Sequence, residues 1–151
     1  IEQVKPPAAP PTPPVPAAPS IPLTTADPSE TQLQELLETW LAAKAAVLAG
    51  NNAPVPLTDL ARSSQVEKLQ RQEKTNRSTG VTETVKTNVE SFSVSERSPN
   101  RIAAQVTLRY SDERRSSSGA VLSQTPATSL TNTYVFARDG ERWLLAAFKP
   151  S

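Results

Sequence analysis

Apolar residues recur at every third or fourth position between residues 28 and 49, a pattern typical of a helix that buries one face. Asp27 is a favourable N-cap, Pro28 suits the first helical position, and Glu30 is placed to act as a capping-box acid. Gly50 supplies the stop. The buried stripe is predicted to contain Leu33, Leu36, Leu37, Trp40, Leu41, Val47 and Leu48.

The next segment predicts two further helical pieces. After a turn with two prolines, a short piece is expected from Leu57 to Arg62, and a polar helix at about 63–75. The clear apolar contacts of this second helix are Val66 and Leu69, so we expect it to be largely exposed.

From Gly80 onward the apolar pattern changes to a period of two, which is typical of strands. The valines up to position 89 share one phase, whereas the apolar residues at positions 92 and 94 share the other, so a bulge is predicted near Glu90. The alternation is cleanest over residues 102–110, where we expect a strand with one apolar and one solvent-exposed face.

The last third of the chain predicts a loop and a hairpin. The charged, serine-rich segment from Asp112 to Gly119 is predicted to be a loop, followed by a short strand at 120–125. Asp139-Gly140 predicts a tight type I′ turn, after which residues 143–148 return as a strand. One face of the strand entering that turn is expected to carry Leu130, Tyr134 and Phe136.

Helices followed by strands predict an α+β fold, with N-terminal helices packed on a curved antiparallel sheet of about four strands. Ten of the fifteen prolines fall within the first 28 residues, so residues 1–26 are expected to form a disordered, extended tether. Residues 27–151 are predicted to form a single domain. Because the chain begins with Ile1, we expect it to be part of a longer protein.

Composition narrows the function. The chain has no His and no Cys, which argues against His/Cys metal sites, Cys nucleophiles and Ser-His-Asp triads, and no cofactor is predicted. A net charge of +1 argues against a nucleic-acid-binding surface. No apolar run approaches the ~20 residues of a membrane span, so any membrane attachment is expected upstream of Ile1.

Three segments resemble one domain family: TWLAAKAAVLAG at 39–50, RIAAQVTLRYSD at 101–112 and YVFARDGERWLLAAF at 134–148. It is the C-terminal domain of the FtsZ-anchoring division proteins of cyanobacteria and chloroplasts. Similar domains end some cyanobacterial membrane-bound Ser/Thr kinases. The resemblance covers about residues 29–148 and implies a cone-like fold similar to the nuclear transport factor 2 class. The sequence departs from the family pattern by lacking a Trp near Val66–Leu69 and an aromatic residue at Val81 or Val85.

The resemblance implies a non-catalytic domain on the extracytoplasmic side of a membrane, which binds another protein of the division complex. The oligomeric state stays open. The candidate partner-binding residues are Trp40, Lys44, Tyr110, Tyr134 and Phe136. Lys44 lies within the apolar stripe, where its methylenes would cover apolar surface or its ammonium would receive a partner's carboxylate. Trp40 is expected mainly in the core, whereas the tyrosines would line a pocket or complete the core.

Two other functions remain as alternatives. The domain would be the sensor or docking head of a membrane-bound kinase, or an enzyme with a cone-like fold. The second alternative needs a buried acid, and Glu83, which is in phase with Val81 and Val85, is the candidate.

Overall fold

The computed structural model describes residues 21–150, so most of the predicted tether lies outside the described residues. Helix α1 spans Glu30–Leu48 and helix α2 spans Ser63–Thr79, with a 3₁₀ turn at Leu57–Asp59 between them. Four strands follow in chain order: β1 Thr82–Ser98, β2 Arg101–Arg115, β3 Val121–Asp139 and β4 Arg142–Pro150. They form one open antiparallel sheet in the order β1-β2-β3-β4, with both helices packed on it. The predicted α+β fold is confirmed.

The first helix is confirmed, but its predicted cap is wrong. Ser29 is the N-cap: its hydroxyl accepts a hydrogen bond from the Gln32 amide, and the Gln32 side chain accepts one from the Ser29 amide. Asp27 instead forms an ion pair with Arg97 of β1 at 2.9 Å. The carboxylate of Glu30 accepts a hydrogen bond from the Val94 amide, also in β1. A tertiary contact with β1 therefore uses the two acids that the local pattern assigned to capping.

The end of α1 follows the prediction. Gly50 has a φ of +88°, and its amide donates to the carbonyl of Val47. The next amide, of Asn51, donates to the carbonyl of Ala46, which completes a Schellman motif. The polar helix α2 is also confirmed and runs a turn further than predicted, until Gly80 takes the left-handed conformation.

The strands are longer than the sequence pattern indicated. A register shift between Val89 and Ser91 confirms the bulge near Glu90. The predicted loop from Asp112 to Gly119 is wrong in its first half, because β2 continues to Arg115 and pairs with both β1 and β3. The predicted short strand at 120–125 is the beginning of β3.

The hairpin between β3 and β4 is confirmed, with a different turn. Asp139 pairs with Arg142, so the two turn residues are Gly140 and Glu141. Of these, Gly140 alone has a positive φ, of +64°. This is the pattern of a type II′ turn, since type I′ requires a positive φ at both central residues.

The core lies between the α1 stripe and the face of the sheet that the helices cover. Leu33, Leu36, Phe136 and Leu145 are fully buried there. Leu23, on the tether side of the predicted boundary at Asp27, also belongs to this core. Two hydrogen bonds join this segment to Trp143 of β4. The Leu23 carbonyl accepts one from the Trp143 backbone amide at 2.8 Å, and the Thr25 carbonyl accepts one from the Trp143 indole at 2.9 Å. No helix within residues 21–150 is long and apolar enough to cross a membrane.

Candidate functional site

A pocket of about 340 Å³ opens between α1 and the face of the sheet that the helices cover. Four of the five predicted site residues line it: Trp40 and Lys44 from α1, Tyr110 from β2 and Tyr134 from β3. The fifth, Phe136, is fully buried in the core, where its ring centroid lies 6.3 Å from that of Phe92. The structure thus gathers the predicted residues in one place, with Phe136 beneath the surface.

Lys44 is the cation of this pocket. Its ammonium lies 5.9 Å from the centroid of the Phe148 ring, and that ring stacks on Tyr134 at 5.4 Å with 22° between their planes. Burial lowers the pKa of Lys44 from its usual 10.5, while the charge of Glu83 opposes the shift. Among residues 21–150 the ammonium has no hydrogen-bond acceptor and no carboxylate within ion-pair distance. It therefore retains its capacity to bind an anion.

Glu83 of β1 is a buried carboxylate on the pocket wall. Its two oxygens accept hydrogen bonds from the side-chain amide of Gln72 at 3.0 and 3.1 Å. One of them also accepts from the side-chain amide of Asn76 at 3.2 Å. The Arg114 guanidinium of β2 lies 4.0 Å from the Glu83 carboxylate and donates to the side-chain carbonyl of Asn76 at 3.3 Å. These contacts join α2, β1 and β2, so the carboxylate holds the helix on the sheet.

Both tyrosine hydroxyls have a partner. Tyr110 donates to the carboxylate of Asp112 at 2.5 Å, and burial followed by this bond raises the pKa of Tyr110 far above its usual 10.0. Burial also raises the pKa of Tyr134, whose hydroxyl accepts a weak hydrogen bond from the Asn132 amide at 3.5 Å. Both phenols therefore stay neutral at physiological pH and add polar atoms to a wall that has both polar and apolar side chains.

Sequence analysis missed Phe148 and the two amides that hold Glu83. Phe148 lies opposite Tyr134 only because the pairing of β3 with β4 shifts by one residue between Val135 and Phe136, so a regular hairpin register would not have placed it there. Gln72 and Asn76 follow each other by four residues on α2 and meet Glu83 only through the tertiary fold. No signal within the sequence of α2 marks them.

A second cleft and the acidic side chains give weaker support for a functional site than the pocket does. A wider cleft of about 750 Å³ lies between the ends of α1 and α2 and the start of β1. Its charged side chains, Glu73 and Arg77, lie 3.8 Å apart and compensate each other. Within residues 21–150 no group of three or more acidic side chains is arranged to hold a metal ion.

Comparison with known proteins identifies a family and a similar fold among solved structures. The family model described as "ARC6-like, IMS domain" matches residues 34–146. Among solved structures, the crystal structure of the intermembrane space region of the chloroplast protein ARC6 superposes with a TM-score of 0.64 and 12% sequence identity. The match covers 82% of this chain and 96% of that one, and at this identity it shows the fold alone. No curated protein sequence matches the chain.

Proposed function

The chain belongs to the ARC6-like IMS domain family, and on that premise we propose that it is the protein-binding domain of a membrane-anchored division protein. The domain acts without catalysis, on the extracytoplasmic side of the membrane. The anchor lies in another part of the full protein, and the proline-rich residues that precede Leu23 act as the spacer between the two.

The observation that carries the proposal is the ammonium of Lys44, which has no ion-pair partner among residues 21–150. A cation that is partly removed from water, with the charge of Glu83 beyond ion-pair distance, costs free energy, which a partner's carboxylate in direct contact would recover. The surrounding Phe148 and Leu130 offer apolar surface to the same partner. An acidic group flanked by apolar residues is therefore the chemistry that fits the pocket.

Glu83 supports binding rather than chemistry as the role of the pocket. Its carboxylate accepts hydrogen bonds from two side-chain amides that belong to α2. A general acid or base needs access to a substrate proton, whereas this carboxylate is engaged in holding the fold together.

The test is affinity capture from an envelope extract of the cells that produce the protein. Three baits are compared: the wild-type chain, Lys44→Met, and Lys68→Met as the matched control, since Lys68 is exposed on α2 and does not line the pocket. We expect a division protein to be recovered with the wild type and the control, and about tenfold less with Lys44→Met, because a partly buried charged hydrogen bond contributes at least about 1.5 kcal/mol.

The outcomes separate three conclusions. Equal recovery with Lys44→Met and Lys68→Met would show that Lys44 only covers apolar surface. Recovery of signalling substrates or wall components without any division protein would contradict the proposed process and favour a sensor domain. A urea unfolding curve for each bait excludes loss of fold as the cause of lost binding.

A further inference from the structure

Among residues 21–150, no strand neighbours the outer edge of β3 over much of its length. Within the described chain, β4 pairs with Asn132–Asp139 and leaves residues 121–131 without a partner strand on that side. The outer edge of β4, by contrast, is occupied near the hairpin. There the Leu23 carbonyl accepts from the Trp143 amide, and the Leu60 carbonyl accepts from the Leu145 amide.

The register shows which backbone groups point outward. The Arg138 amide donates to the Asn100 carbonyl of the β2 side at 3.0 Å. Because the direction alternates along an antiparallel strand, even-numbered residues from Arg138 back to Thr128 face β2. Ser129 and Thr131 therefore direct their amides and carbonyls to the open side.

The open edge is short as well as accessible. Pro126 has no amide hydrogen, and the pairing with β2 shifts register between Tyr110 and Asp112, opposite this proline. A regular strand can therefore pair only with residues 127–131. Such an interruption also deters open-ended association of long edges between copies.

Exposed apolar side chains gather on the same two strands. The large exposed hydrophobic residues of the described chain are Val121, Leu122, Leu130 and Phe148, all on β3 or β4. Two of them, Leu130 at 40% exposure and Phe148 at 45%, also line the pocket that contains Lys44. The pocket is therefore continuous with the open strand edge.

We propose that the partner binds as an extended acidic and apolar segment that adds a strand to residues 127–131 of β3. The segment lies in line with β4, whose Pro150 is opposite Asn132. Its residue opposite Leu130 then faces the pocket, where a nearby carboxylate meets Lys44. A second copy is the poorer occupant, because its own residues 127–131 (ATSLT) carry no acid. The inference rests on the proposed function.

The test uses the purified division protein that the wild-type chain captures. Ser129→Pro removes the outward amide hydrogen without breaking a bond to β2, and Ser129→Ala is its matched control. Both variants lose the Ser129 hydroxyl and its hydrogen bond to Glu90, so their difference isolates the backbone donor. We expect about tenfold weaker binding for Ser129→Pro than for Ser129→Ala.

Amide hydrogen exchange of the wild-type chain gives a second measurement that needs no variant. The amides of Ser129 and Thr131 should exchange rapidly in the free chain and become protected in the complex. Equal affinities of the two Ser129 variants, or unprotected amides in the complex, would overturn the strand addition while leaving the role of Lys44 intact. A chain that sediments as a dimer alone and as a monomer with Ser129→Pro would assign the edge to a second copy.

Discussion

Replacing Glu83 with alanine should destabilise the domain by about 3 kcal/mol. The buried Asn76 amide, 3% exposed, would lose its only acceptor among the described residues, and an unsatisfied buried donor costs about 1–3 kcal/mol. Gln72 is exposed and can turn to water, so its lost bonds add little. Removal of the one buried methylene, Cγ, adds about 0.8 kcal/mol. Arg114 is 43% exposed and 4.0 Å away, which makes its lost attraction small.

Urea unfolding at pH 7, followed by circular dichroism, measures this difference. Glu83→Gln preserves one acceptor for Asn76 and should lose about half as much stability as Glu83→Ala. Glu67→Ala on the exposed side of α2 is the control and should stay within about 0.5 kcal/mol of the wild type. A loss below about 1 kcal/mol for Glu83→Ala would refute the reasoning, because the cost of burying the carboxylate would then cancel its hydrogen bonds.

Lys44→Met should raise the free energy of unfolding by about 1 kcal/mol at pH 7, because the folded variant no longer buries a charge. The pKa of Lys44 lies below 10.5 in the folded chain, so the folded state releases this proton first and wild-type stability rises as the pH approaches 10.5. The difference in stability between the wild type and Lys44→Met should therefore shrink over that range, as measured by urea unfolding at a series of pH values. The raised pKa of Tyr134 has the opposite sign: stability falls above pH 10 as the unfolded phenol ionises first, and Tyr134→Phe should lack that loss. Gly80→Ala should lower the free energy of unfolding by about 1–3 kcal/mol, and by more than Gly50→Ala. Both glycines have a positive φ, but a new Cβ at Gly80 lies 3.3 Å from Ser117, and the midpoints of urea unfolding compare the two variants.

Periodicity within the sequence was sufficient for the elements that bury a regular face. The helical stripe around Trp40 and the alternation over residues 102–110 both reflect burial of one side, and the structure buries those sides. The end of α1 was also predictable, since a glycine at this position meets the requirement for a positive φ. These features depend on residues close together in the chain.

The errors arise where contacts distant in sequence decide the local conformation. Asp27 is as good an N-cap as Ser29 by local criteria, but Ser29 forms the capping box with Gln32 and the Asp27 carboxylate pairs with Arg97 of β1. The charged segment after Tyr110 reads as a loop, yet its residues pair on both sides as part of β2. The same reason hides the amides that hold Glu83. Sequence patterns indicate which faces are buried, whereas these residues are positioned by ion pairs, hydrogen bonds and strand pairing with distant parts of the chain.

Lys44 and Ser129 provide a way to ask whether charge and backbone recognise one segment or two. If a single extended segment pairs with β3 and places its carboxylate beside Lys44, loss of the outward Ser129 amide should displace that carboxylate. The double variant Lys44→Met with Ser129→Pro should then bind only slightly more weakly than either single variant, so the two effects fall short of additivity. Independent sites would give additive losses of binding free energy, measured by titration calorimetry with the same partner. Additivity would separate the pocket from the strand edge.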